Sequence, residues 1–160
     1  MTAAFGRTHS KHVDFQLYFS SAWRSLPVDT INGLTLAYDV LEYAAFIDRI
    51  KTVIQGQPTL TLSIAGPHDT ADLAAAGTKS GSHRILSKLV GGNTPIGLAV
   101  YFGIGHVWEA GEQVFGISPT SANGVLVYSY TRDIMTGRYS AEIGMRTGSA
   151  APAWGTTAIT

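Results

Sequence analysis

Gly66, Pro67, His68 and Asp69, with Asp72 shortly after, form the stretch of this sequence best equipped for chemistry. An imidazole titrates near neutral pH, and a carboxylate close by can hold its tautomer. His68 could therefore act as a general base, oriented by Asp69 or Asp72, in a small hydrolase or lyase. The stretch follows a predicted strand, and loops at strand ends often carry reactive groups on a rigid frame. A plainer account also holds: Gly-Pro makes a turn, Asp69 caps the helical turn that follows, and His68 is exposed. An enzyme should show a second acid/base element, and Glu109 and Glu112 near His106 are the candidates.

The other chemical patterns lack their context. Gly103-Ile104-Gly105-His106-Val107-Trp108 places tryptophan where a dinucleotide fingerprint needs its third glycine. Lys79 lacks the glycine spacing of a phosphate loop, and Gly77-Thr78-Lys79-Ser80-Gly81 does not centre its serine as a nucleophile elbow does. His9 and His12 could share one side of a helical turn, but no third metal ligand lies near them. Lys79, His83 and Arg84 could attract an anion to a helix start at Ser82, although polar Gly/Ser loops are common without function and a solvated loop is the better account. Trp23, Trp108 and Trp154, with Tyr101, Tyr128, Tyr130 and Tyr139, could line a sugar-binding face, with Trp108 and Tyr130 exposed. Aromatics in strands more commonly pack across neighbouring strands. No catalytic residue, cofactor site or metal site is assigned.

The elements that must position these groups are mostly strands. Val13, Phe15, Leu17 and Phe19 alternate with polar residues, as do Leu60, Leu62 and Ile64. Residues 96–104 alternate between a bulky face and a bare one formed by Gly97, Ala99, Tyr101, Gly103 and Gly105, which suggests close approach of another backbone. Further strands are predicted at 113–117, 125–131 and 138–145, the last two joined as a hairpin around 133–137. Asp39 and Glu42 have capping-box spacing, and Val40, Tyr43, Ala44, Ile47, Ile50 and Ile54 recur at helical spacing before Gly56 and Pro58. A helix is therefore predicted over residues 40–55, with a shorter helical region over about 69–90 capped at Asp69 and Ser82. The expected class is α+β, a largely antiparallel sheet with these helices packed on one face. Residues 1–11 read as an N-terminal arm, 12–146 as one domain and 147–160 as a small-residue tail.

Composition points outward. Among 160 residues, 14% are charged and 18 are glycine, against roughly 25% charged in typical soluble domains. A surface so short of charge suits a chain covered by neighbours. The 11 basic and 11 acidic residues cancel, so no nucleic-acid partner is indicated. The absence of cysteine excludes disulfides and thiolate metal sites. No stretch is apolar enough for a membrane helix, and the first residues do not read as a signal peptide, so the cytoplasm is the default location.

The arm at 1–11, the Gly-rich strands at 96–105 and 125–145 and the tail at 148–160 together resemble the small structural proteins of bacteriophage virions, in particular capsid decoration or cement proteins. That resemblance implies a β-rich, non-enzymatic, oligomeric virion protein, often a trimer, seated on a major capsid protein and assembled in the host cytoplasm. A tail or neck component of the same particle would look similar. Phe5, Arg7, Gly97, Gly103, Gly105 and Trp154 are then the expected assembly contacts.

Overall fold

In the computed structural model, Phe15 and Leu17 turn inward from β1 (Thr8–Phe19), while Asp14 and Gln16, which alternate with them, stay nearer the surface. That alternation, repeated along most of the chain, builds two antiparallel sheets. The structure describes residues 8–44, 50, 52–73, 80–104, 112–119, 123–145 and 150–156.

Ser20 and Ser21, both at positive φ, turn β1 back into β2 (Ala22–Leu26). Such two-residue turns match the twist of the strands they join. β3 (Thr30–Tyr43) and β4 (Thr52–Pro67) form a long hairpin. After α1 (Ser82–Leu89) come β5 (Leu98–Ile104), β6 (Val114–Ile117), β7 (Val125–Asp133), β8 (Arg138–Met145) and β9 (Ala153–Gly155). The first sheet runs β2-β1-β5-β6-β9 and the second β3-β4-β8-β7.

One core joins the two sheets. Phe15, Leu17, Leu98, Val100 and Phe115 come from the first sheet, and Leu60, Leu62, Ile64, Val127 and Ile143 from the second. Ile85 and Leu86 add the buried stripe of α1. Burying such side chains contributes about 1.5–3 kcal/mol each, and this term holds the sheets together.

Two expectations are corrected here. The class is mainly β rather than α+β with two helical regions, since α1 is the single helix among the described residues. The helix predicted over 40–55 is replaced by the end of β3 and the start of β4, with Leu41 opposite Ile54 and Tyr43 opposite Thr52. A helix there would have needed a core beneath its apolar stripe. Instead Val40, Leu41, Tyr43, Val53 and Ile54 are all exposed, and the β-branched residues Val40, Thr52, Val53 and Ile54 favour extended backbone. Ile47 lies outside the described residues. Of the region predicted over 69–90, Ser82–Leu89 is helix and residues 69–73 are not.

Candidate functional site

His68 ends up where β4 hands the chain on. Its backbone N–H donates to the Gly137 carbonyl at 2.8 Å. Its ring lies 5.2 Å from the ring of His83, whose Nδ1 is 3.0 Å from the Tyr130 hydroxyl. The Asp69 backbone N–H donates to Ser82 Oγ, and the Asp69 carbonyl accepts from the His83 N–H. Together these contacts clasp the end of β4, the first turn of α1 and β7.

The carboxylates expected to orient His68 are engaged elsewhere. Asp69 Oδ1 accepts from the Ala71 N–H at 2.8 Å, closing an Asx-type turn rather than capping a helix. Asp72 pairs with Arg84 at the surface. The Nε2 of His68 is buried and has no hydrogen-bond partner among the described residues. Among the described residues the geometry gives packing and chain tethering, and neither Asp69 nor Asp72 is engaged with the His68 imidazole. His106, Trp108 and Glu109 lie outside the described residues, as does Lys79.

The expected assembly contacts are scattered. Gly97 is buried, and a Cβ there would meet Trp23 Cη2 at 2.7 Å and Pro119 Cδ at 2.8 Å. The bare face of β5 is thus covered from within the chain, where Ala99 and Tyr101 pack with Val114 and Trp23. Gly103 is also buried. Trp154 on the edge strand β9 is 58% exposed, resting on Phe115 and Phe102 at ring-centre distances of 5.1 and 5.4 Å. Phe5, Arg7 and Gly105 lie outside the described residues.

Two surfaces stand out that the sequence reading missed. Among the described residues β8 pairs with β4 from Thr61 onward. Before that point β3 and β4 run on as a two-stranded ribbon. Residues directly opposite on paired strands share a face. Leu41, Ile54 and Tyr43 therefore lie on one face of the ribbon, and Val40 and Val53 on the other. All five are large, apolar and exposed. The second face also carries Glu42 and Gln55, so large apolar groups lie on both sides of the ribbon, and an isolated two-stranded hairpin is marginal in water. Contiguous apolar surface of this kind marks an interaction site.

The second surface is the turn between β7 and β8, where Ile134 is 83% and Met135 93% exposed. Asp133 Oδ1 accepts from the Met135 N–H at 2.9 Å and the Thr136 N–H at 3.4 Å. Gly137, at φ +66°, donates to the Asp133 carbonyl, a left-handed position that glycine takes without strain. Arg138 clasps Asp29 with two hydrogen bonds of 2.6 and 2.8 Å.

These contacts shift the acids. Hydrogen bonds from the backbone N–H of Met135 and from Thr136 hold the Asp133 carboxyl below its usual range, and the Arg138 guanidinium does the same for Asp29. Carboxyls lowered in the folded state contribute stability above their ordinary pKa, and that contribution is lost as pH falls through the folded value. The Met135 amide proton resonance should consequently titrate with a midpoint below about 3.9, the ordinary aspartate value. Asp133→Ala should abolish that titration, whereas an unshifted midpoint in the parent chain would show that the turn is not held by Asp133.

No family model and no curated protein sequence matches this chain. Solved structures do. A chain of the sheath-tube complex of the PVC extracellular contractile injection system, in its extended state, superposes with a TM-score of 0.61. The match covers 97% of this chain and 95% of that one at 10% identity. The fold is shared. The sheath/tube terminator of the same system matches with a TM-score of 0.55 at 11% identity, covering 90% of this chain and 93% of that one. The tube-terminating cap of the anti-feeding prophage matches at 0.54 and 11% identity, covering 89% and 88%. The matched structures are a sheath-tube chain, a sheath/tube terminator and a tube-terminating cap, none of them a capsid decoration protein by its description, and at 10–11% identity they show a shared fold.

Proposed function

We propose that this chain is a non-enzymatic structural subunit of a tube-type assembly, in a phage-like contractile particle, held together by contacts among its own copies. The observation that carries this reading is the ribbon formed by the ends of β3 and β4, where large apolar side chains stand exposed on both faces and, among the described residues, have no core beneath them. The shared fold supports it, since the matched structures come from sheath-tube, terminator and cap assemblies. Further support lies in the four-stranded sheet, whose edge strand β3 pairs on one side only among the described residues, as does β7 from Ser129 onward. An open strand edge is a template for pairing with another chain. A contact between two different surfaces of identical copies closes into a ring when its rotation permits. Trp154 on β9 offers a further contact on the other sheet.

Purified full-length chain should form particles many times its 17.0 kDa mass. Negative-stain microscopy should show them as rings or stacked rings with a central opening. A monodisperse monomer by light scattering at every concentration up to the solubility limit would remove the reading. Rings that never stack would point to a terminator or cap.

A further inference from the structure

We propose that the β7–β8 turn is an axial docking knob: Ile134 and Met135 of one copy seat on the Leu41–Tyr43–Ile54 face of the ribbon of a second copy. The inference rests on the tube-subunit reading above and adds the direction in which rings grow.

The two surfaces lie at opposite ends of one sheet. Leu41 pairs with Ile54 near the start of β4, while Arg138, next to the turn, pairs with Pro67 at its end. At about 3.3 Å per strand residue, roughly 40 Å of β4 separates them. A knob and a receiving face so far apart cannot meet within one chain. A second copy displaced along the strand direction brings them together, and the contact then repeats without closing, which generates a stack.

The chemistry matches. Asp133 accepts from the turn's own N–H groups and Arg138 is paired with Asp29, so Ile134 and Met135 project from a turn held at its base by these contacts. Among the described side chains, the receiving face carries Leu41, Tyr43 and Ile54. The turn is held by its own hydrogen bonds, so little freedom is lost on docking. A copy of the same chain finds an apolar surface at each.

Size explains why rings come first. Two side chains cover far less than the roughly 800 Å² per partner of a standard stable interface. One knob cannot hold two monomers, but several acting in parallel between two rings can, through multivalency.

Two experiments test this. In the full-length chain, Ile134→Asp with Met135→Asp should leave rings intact and raise the ring concentration needed for stacking by at least about 100-fold, the scale on which multivalent contacts fail together. Because the chain has no cysteine, Leu41→Cys combined with Met135→Cys gives an uncluttered crosslinking readout. Mild oxidation should produce a ladder of disulfide-linked multimers. Stacking unchanged in the double aspartate variant would overturn the knob while leaving the tube reading in place. Dimers formed as readily by Met135→Cys alone would replace the head-to-tail contact with a back-to-back one. A parent chain that forms no rings would overturn both proposals.

Discussion

Leu41→Asp together with Val53→Asp is expected to abolish assembly while leaving the monomer folded. The two positions lie on opposite faces of the ribbon, so the pair places a carboxylate on each side of it. In the free chain both side chains are more than half exposed, at 58% and 59%. Surface changes of that kind shift stability by about 0.5 kcal/mol or less, which in a domain of this size moves the melting temperature by about 1–2 °C. In an assembled particle the same carboxylates would have to leave water for an apolar contact. That costs several kcal/mol per group, and the cost recurs in every subunit. Light scattering should fall to the mass of a single chain while circular dichroism retains its strand signal. Leu41→Val with Val53→Ile, which keeps the surface apolar, should still assemble. Rings that persist in the aspartate variant would mean that the ribbon is not buried between copies, and the proposed function would lose its main support.

How far the sequence could be read depended on whether a core lay beneath each segment. Phe15 and Leu17, Leu60 to Ile64, and Tyr139 to Ile143 alternate because one face of each strand is buried, and period two identifies them without any tertiary knowledge. The short helix Ser82–Leu89 was legible for the same reason, since Ile85 and Leu86 form its buried stripe. Residues 40–55 failed this test. Val40 and Leu41 are adjacent, as are Val53 and Ile54, and an extended ribbon sends adjacent residues to opposite faces. A segment apolar on both faces loses the period-two signal, and its residual pattern mimics a helix. The pattern was informative about something else, namely two faces needing cover that the chain itself does not supply. Ile134 and Met135 were hidden differently, being read as part of a turn whose apolar residues carried no period. Their prominence follows from Asp133 and Gly137 fixing the turn so that neither side chain can fold back. The chemical candidate at His68 and Asp69 was correctly located at the end of a strand, yet its role depends on Ser82, His83 and Tyr130, which the sequence places far away.

Gly116→Ala is expected to be strongly damaging to the fold. Gly116 sits in β6, opposite Ala99 of β5 on one side and Ala153 of β9 on the other. A methyl group there would press into the Leu98 carbonyl, a main-chain group that cannot rotate away as a side chain would. β6 would have to move off β5, and all four of its residues are buried. Phe115 would be drawn out of the core with it. Overpacking costs typically 1–3 kcal/mol, and a main-chain obstacle puts this site at the top, about 3 kcal/mol. The melting temperature should fall by roughly 6–12 °C. Gly155→Ala on the adjoining strand provides the control, since its Cβ would meet nothing closer than Val114 Cγ1 at 3.8 Å, an ordinary contact. That change should stay within about 0.5 kcal/mol. Trp154 lies next to Gly155 and packs on Phe115, so its fluorescence should shift in the first variant and hold in the second. Equal melting temperatures for the two variants would show that β6 can move away from β5 at little cost, and that the first sheet is softer than its buried strand implies.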